Sequence, residues 1–383
     1  MHIIPYEKNN MTYYRVMGCI GTDPLTGKRV RITRSGLKSP EECKLLFYRL
    51  TLEYEAGEHQ QRAEKYTFQE VYELWYEQYK NTVKESTLNK TLNIFKMHIL
   101  PFYSKMYIDK IKVTHCQEAV NLWYGKLKNY KIVNNYCGLI FKHAMKLGIT
   151  KDNPTMLVTM PVIKETVPGE ESETENFYTL EELKTFLKVT KEHSDFKWYA
   201  LFYTLAFTGC RKGELLALTW KDIDFKANTI TVNKTVTLGL ENKLIIQTPK
   251  TKTSKRVLPM DENTMGILKE WKSVQAREML QIGFNTLNSS QVVFNNLKNT
   301  YMNPQKVGQK IDSICNHHGL KAITPHGFRH THCSLLFEAG ASMKEVQKRL
   351  GHSDIQTTMN IYAHVSPEKE TETILKYAKY VKI

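Results

Sequence analysis

Two short stretches near the start of the chain, Thr12 to Ile20 and Arg29 to Arg34, carry the apolar and polar pattern of strands. The segment Gly21-Thr-Asp-Pro-Leu-Thr-Gly27 between them holds the Gly, Asp and Pro that favour a turn. Ser39-Pro40-Glu41-Glu42 then reads as a helix start, with a capping serine, proline in the first turn and carboxylates beside the positive end of the helix dipole; this helix is expected to run to about Tyr54. From Thr67 to about Met156 the apolar period becomes helical. Phe68, Val71, Leu74 and Trp75 fall on one face, and Leu88, Leu92, Phe95, Ile99 and Leu100 recur at three-to-four spacing. The stretch VIKETVPGEESETENF, between Pro161 and Thr179, has no apolar period and is rich in Glu, Ser, Thr, Pro and Gly, so it reads as an exposed linker. Beyond it, Thr179-Leu-Glu-Glu182 resembles a capping box, and helical and β patterns alternate toward the end. In the tail, Ile374, Leu375, Tyr377, Ala378 and Val381 stand at helical spacing. The expectation is a multidomain, mainly α protein with small β-sheets, of α+β class: a sheet and helix over 1–60, a helical domain over 66–162, a linker over 163–178, a mixed α/β domain over 179–366 and a tail helix over 367–383.

Charge narrows the partners. Fifty-four lysines and arginines against 39 acids give a net charge of +15 in 383 residues, which points to a polyanion, either nucleic acid or an anionic membrane. There is no run of about 18 uncharged apolar residues and no apolar leader-like stretch near Met1, so nucleic acid is favoured and no membrane association is expected. The seven cysteines are odd in number, scattered and never spaced C-x-x-C, which argues against a disulfide framework or a zinc finger and for a reducing cytoplasm. Lys28, Arg29, Arg31 and Arg34, with Arg15, lie on the N-terminal strands, where they suit phosphates or equally a charge-protected solvated edge. The helical segment is rich in lysine and free of arginine, which suits sequence-tolerant phosphate contact, although a solvated surface is the commoner fate of single lysines.

Candidate chemistry gathers in the last domain. In Leu205-Ala-Phe-Thr-Gly-Cys-Arg211-Lys-Gly-Glu214-Leu, an apolar helix breaks at Thr-Gly and restarts beside an arginine whose planar fork can grip an anion, or which simply pairs with Glu214. Gln247-Thr-Pro-Lys250-Thr-Lys252-Thr-Ser-Lys255-Arg256 is a basic crest between two β-like runs, Asn228 to Leu238 and Lys255 to Leu258. Five histidines, 326, 330, 332, 352 and 364, fall within about forty residues. No carboxylate is suitably interleaved among them and H-E-x-x-H is absent, so no metal site is expected. His326 and Arg329, three residues apart, share a helical face from which both could reach one phosphate. Tyr362, beside Met359 and Ile361, could in isolation be a packed helix aromatic.

Taken in order, TGCRKGEL, PKTKTSKR, HGFR and LGHSDIQTTMNIY resemble the active-site motifs of the tyrosine recombinase family, and among its members the integrases of phages and conjugative transposons. Any one motif is weak; the ordered set is highly specific. The resemblance implies that Arg211 and Arg329 clamp the scissile phosphate, that His326 and His352 assist by hydrogen bonding, that Lys252 protonates the leaving 5′ oxygen and that Tyr362 attacks phosphorus. Lys250 is the rival to Lys252. Glu214 resembles the acid that orients a neighbouring cation, and His326 is the candidate base for a phenol whose ordinary pKa is near 10. The covalent ester conserves the phosphodiester's energy, so no cofactor, ATP or divalent ion is expected.

By the same resemblance, residues 1–60 look like an arm-type DNA-binding domain with a three-stranded sheet, 66–162 like a core-binding, SAM-like domain and 179–366 like the catalytic domain, with the tail docking on a neighbouring subunit. The implied partners are double-stranded DNA with core and arm sites, a homotetramer on that DNA, and accessory excision and DNA-bending proteins, in the bacterial nucleoid. A type IB topoisomerase shares the tyrosine chemistry, and a DNA-binding regulator would dispense with it. The arm-like segment and the complete residue set favour recombination.

Overall fold

The computed structural model describes residues 1–23, 27–56, 65–162, 176–248, 254–351 and Met359. The candidate residues Lys250, Lys252, His352 and Tyr362, most of the linker and the tail lie outside the described residues. The chain is a multidomain α+β protein, mainly helical with small antiparallel sheets, in two compact units: residues 1–83 with 90–162, and residues 84–89 with 163–383.

In the first unit, β1 (His2–Lys8), β2 (Met11–Thr22) and β3 (Arg29–Leu37) form an antiparallel sheet in the order β1-β2-β3, backed by α1 (Pro40–Glu55). The first strand is one that the alternation pattern leaves unmarked. Ser39 caps α1 as expected, its Oγ accepting from the Glu42 N–H at 3.1 Å. Val16, Ile20, Cys43 and Phe47 form the core between sheet and helix. The strand period then dictates where the basic residues go. Val30 and Ile32 pack toward the core and the alternating Arg29 and Arg31 are exposed. Arg34, also exposed, pairs with Val16 and so does not share their face.

The helical module contains α2 (Phe68–Tyr79), α3 (Glu85–Ile94), α4 (Leu100–Tyr103), α5 (Val113–Tyr124) and α6 (Tyr130–Lys146). A reciprocal capping box opens α2: Glu70 accepts from the Thr67 N–H at 2.7 Å, and Thr67 Oγ1 from the Glu70 N–H at 3.3 Å. Phe68, Val71, Trp75, Phe95, Ile99, Tyr103 and Phe141 fill the core, whereas Leu74, expected on the same face, is 43% exposed. Between α3 and α4 one wide turn, Phe95–Ile99, bonds five residues back, with the Leu100 N–H reaching the Phe95 carbonyl. Pro101 follows at once and can neither donate nor fit under a regular helical carbonyl, which accounts for the widening there.

The second unit contains α7 (Leu180–His193), α8 (Phe196–Thr208), α9 (Lys212–Leu216), β4 (Ile223–Asp224), β5 (Thr229–Val232), β6 (Thr235–Leu238), β7 (Leu244–Gln247), β8 (Arg256–Pro259), α10 (Glu262–Gln281), α11 (Gln305–His318), α12 (Gly327–Glu338) and α13 (Met343–Leu350). The capping box at Thr179 and Glu182 is present. The expected run 228–238 divides into β5 and β6, which join different antiparallel sheets, β4-β5-β8 and β6-β7. Packing fixes α8 against α12: Phe202 stacks on Phe328 at 5.6 Å between ring centroids, and Phe186 meets both rings edge-on. All three rings are fully buried, and at roughly 1.5–3 kcal/mol each they outweigh the exposed ion pairs of this unit. Among the described residues no helix is long and apolar enough to cross a membrane.

Candidate active site

The first arginine owes its place to a helix stop. Gly209 ends α8 in the left-handed conformation at φ +60°, its N–H closing on the Leu205 carbonyl. An added Cβ there would meet His332 Cδ2 at 2.6 Å and Leu350 Cδ2 at 2.7 Å, so the glycine is required both by backbone and by space. Two residues on, Arg211 opens α9. Glu214 accepts from the Arg211 N–H at 3.0 Å through Oε2 and from Arg211 Nη1 at 2.8 Å through Oε1. The Arg211 side chain nevertheless remains 42% exposed, with further guanidinium donors beyond that one bond.

The second arginine is held more tightly. The turn before α12 is tied by Asn176, which donates to Thr324 Oγ1 at 2.9 Å and accepts from the Thr324 N–H at 2.8 Å. A Cβ at 327 would meet the Asn176 carbonyl at 2.7 Å, so glycine lets the start of α12 pack closely against the backbone at 176. Arg329 is 1% exposed. Its Nη1 donates to the Gly209 carbonyl at 2.8 Å and its Nη2 to the Leu350 carbonyl at 2.6 Å. Burial, followed by the neighbouring Arg211, pushes its pKa down to about 10, which leaves it cationic at neutral pH.

His326 precedes α12, and its ring meets that of His330 edge-on at 4.7 Å. Desolvation lowers its pKa most, and His330, Arg329 and Arg211 add to the effect, taking it to about 4. Part of the residue reaches the surface, so the imidazole is neutral at pH 7 and accessible, able to accept a proton or donate a hydrogen bond. The structure thus brings together Arg211, Glu214, His326 and Arg329 from two regions more than a hundred residues apart. Lys252, His352 and Tyr362 are outside the described residues, and Lys28, Arg29, Arg31 and Arg34 are in the other unit.

Three residues to which motif reading gives no role at this site complete the cluster. Arg256, the first residue of β8, donates to Glu214 Oε2 at 3.0 Å, and its side chain is 6% exposed. Glu214 therefore sits between two guanidinium groups; burial alone would raise its pKa, but Arg256 and Arg211 more than offset that and hold it below the usual range. Arg349 donates through Nε to His332 Nε2 at 3.0 Å and through Nη2 to the Phe207 carbonyl at 3.0 Å. Desolvation and then the Arg349 charge push His332 down to about 3, so it is a neutral acceptor. One signal did mark Arg256: it shares a strand face with buried Leu258, and a charge at an inward position needs a partner.

An exposed arginine, a buried arginine and a neutral histidine within electrostatic reach of one another form a set able to grip and polarise an anion. Residues 176–369 match the phage integrase family, and residues 67–124 its N-terminal SAM-like domain. The ICEBs1 integrase of Bacillus subtilis (strain 168) is 30% identical over 366 residues, covering 94% of this chain and 95% of that protein. A XerC-like tyrosine recombinase of Caldanaerobacter subterraneus is 31% identical, covering 96% of each chain. Among solved structures, a Tn1549 transposon integrase in complex with a circular intermediate DNA superposes with a TM-score of 0.64 at 22% identity, over 82% of this chain and 99% of that one. The chain belongs to the phage integrase family of tyrosine recombinases, enzymes that cut and rejoin DNA. It is an integrase of the kind that mobile elements carry, and neither the topoisomerase nor the regulator reading is favoured.

Proposed function

We propose that this chain recombines duplex DNA at specific sites through a 3′-phosphotyrosyl intermediate on Tyr362, with Arg211, Arg329 and His326 holding the scissile phosphate. The observation that carries this reading is the convergence of those three side chains, with Glu214 orienting the exposed arginine. The Tyr362 oxygen forms a bond to phosphorus as the bond to the 5′ oxygen breaks. The phenol proton passes to His326, neutral before reaction, and Lys252 supplies a proton to the leaving oxygen; His352 donates a further hydrogen bond to the phosphate. Negative charge accumulates on the non-bridging oxygens, where preplaced guanidinium and imidazole donors act, each worth on the order of a hundredfold in rate. A bound phosphate also shields His326 from its cationic neighbours and raises its basicity. Reversal with a different 5′ hydroxyl rejoins the strand with no ATP, cofactor or divalent ion.

Exchange between two duplexes cuts four strands, and one tyrosine per subunit then calls for a tetramer on DNA. In this reading residues 1–60 bind arm sites, with Lys28, Arg29, Arg31 and Arg34 on phosphates, and 66–162 bind the core site. Residues 163–178 link these to the catalytic domain at 179–366, and the tail at 367–383 docks on a neighbouring subunit. Excision and DNA-bending proteins are the accessory partners, and the enzyme works at the bacterial nucleoid. Excess charge of +15 supports the DNA assignment. The test is a nicked suicide duplex carrying the core sequence of the element, incubated in EDTA and run on a denaturing gel. A slow-migrating adduct from wild type and none from Tyr362→Phe is expected; cutting that needs metal and leaves no adduct overturns the proposal.

A further inference from the structure

We infer that Arg256 is a positioning residue for DNA cleavage, setting Arg211 through Glu214 and fastening the end of α13 to the same carboxylate-centred cluster. The inference rests on the phosphoryl-transfer reading of the site. Arg256 does not act on the phosphate itself, because its side chain is only 6% exposed and its donors are directed into the protein. One guanidinium reaches four groups on three separate segments. Nη2 donates to Glu214 Oε2 at 3.0 Å and contacts Cys210 Sγ at 3.6 Å, on either side of Arg211 in sequence. Nη1 donates to the Ser254 carbonyl at 3.2 Å, two residues from Lys252. Nε donates to the Arg349 carbonyl at 2.9 Å.

That last bond fits a general need. A helix leaves its final carbonyls without intrahelical donors. In α13 the Arg349 carbonyl takes Arg256, and the next, Leu350, takes Arg329. Gly351, left-handed at φ +68°, ends the helix, and His352 follows it directly in the chain. The two buried arginines therefore clasp the helix end from separate elements, and the carboxylate that Arg256 holds is the one that aims Arg211. A planar fork with donors on three nitrogens can bridge such scattered acceptors; an ammonium on a flexible stem can satisfy only part of them. Removing Arg256 leaves Glu214, 3% exposed, with Arg211 as its remaining cationic partner. That pulls the Arg211 guanidinium toward the vacated side and away from the phosphate.

The experiment uses full-length protein and the nicked core-site duplex, and reads the single-turnover rate of adduct formation at saturating protein alongside DNA affinity and thermal unfolding. Arg256→Gln is expected to slow adduct formation about tenfold to a hundredfold, as loss of an outer partner commonly does. DNA affinity should stay within about threefold, since the interaction lost matters for the transition state and not for binding. Arg256→Lys should recover part of the rate. In the double variant Glu214→Gln with Arg256→Gln, the rate should lie within about threefold of the slower single variant, because coupled residues do not add. Wild-type rate in folded Arg256→Gln overturns the inference. So do multiplicative losses in the double variant, or losses in both Arg256 variants that merely follow weakened DNA binding or unfolding. Wild type and Tyr362→Phe run in parallel: failure of wild type to form an adduct overturns the phosphotyrosyl reading itself, whereas a wild-type adduct with an indifferent Arg256 overturns this inference alone.

Discussion

Replacing Gly209 by alanine should damage both stability and cleavage, and the structure allows the two causes to be separated. The residue stands at φ +60°, a conformation that costs an ordinary L-residue about 1–2 kcal/mol. The new methyl would also lie 2.6 Å from His332 Cδ2 and 2.7 Å from Leu350 Cδ2. Neither neighbour yields easily, since His332 is held by Arg349 and the Leu350 carbonyl by Arg329. Overpacking of this kind costs about 1–3 kcal/mol, so the sum is roughly 2–5 kcal/mol. For a unit of this size that lowers the melting temperature by about 4–20 °C. Relief of the clash has to move the Gly209 carbonyl, which accepts from Arg329, or the α13 end, so adduct formation should fall further than stability alone dictates. Asparagine tolerates the left-handed region yet keeps the Cβ. If contact dominates, Gly209→Asn is as damaging as Gly209→Ala in differential scanning calorimetry and in the suicide-substrate assay. A Gly209→Asn protein that melts and cleaves like wild type would refute the packing argument.

Acid should weaken the catalytic unit before its carboxylates titrate: His332 is held near 3 and His326 near 4, below the ordinary value of about 6.5 in an unfolded chain. The unfolded state therefore binds more protons below about 6.5, and stability present above that pH is lost as pH falls toward 4. Urea midpoints should drop between pH 7 and 5, less steeply in His332→Gln, and a flat profile would contradict the assignment. Arg329→Lys cannot span both the Gly209 and Leu350 carbonyls; loss of one charge-assisted bond should cost about 1.5–3 kcal/mol and slow adduct formation about a hundredfold or more, measured by urea unfolding and single-turnover cleavage. Lys252→Ala should cut poorly on ordinary DNA and recover on a substrate with sulfur in place of the 5′ oxygen, because a thiolate leaves without a proton. Recovery by Lys250→Ala instead would move the acid to Lys250.

How much of this was legible in sequence depended on whether the cause was local. Caps at Ser39 and Thr179 follow from a few adjacent residues, and the break at Thr208-Gly209 was visible as an interruption in an apolar run. The separate motifs around Arg211 and Arg329 can be ordered along the chain, and the i to i+3 spacing of Arg211 and Glu214 allows the pairing that the structure shows. Sequence could not show that Arg329 would be sealed between the Gly209 and Leu350 carbonyls, because that depends on the Phe202 and Phe328 stack between distant helices. Arg256 was hidden inside a run of positive charge that reads as solvated crest; only its inward register beside Leu258 distinguishes it. Leu74 was placed on the buried face and is partly exposed, since a stripe of four residues is wider than the contact α2 makes.

The most direct test of the central claim is to locate the protein–DNA bond. After reaction with the suicide duplex and nuclease trimming, trypsin should release residues 350–369, a peptide with a single tyrosine, Tyr362. Mass spectrometry is expected to find the nucleotide remnant on that tyrosine through its phosphate. A remnant on any other peptide, or on a serine or threonine of this one, would contradict it.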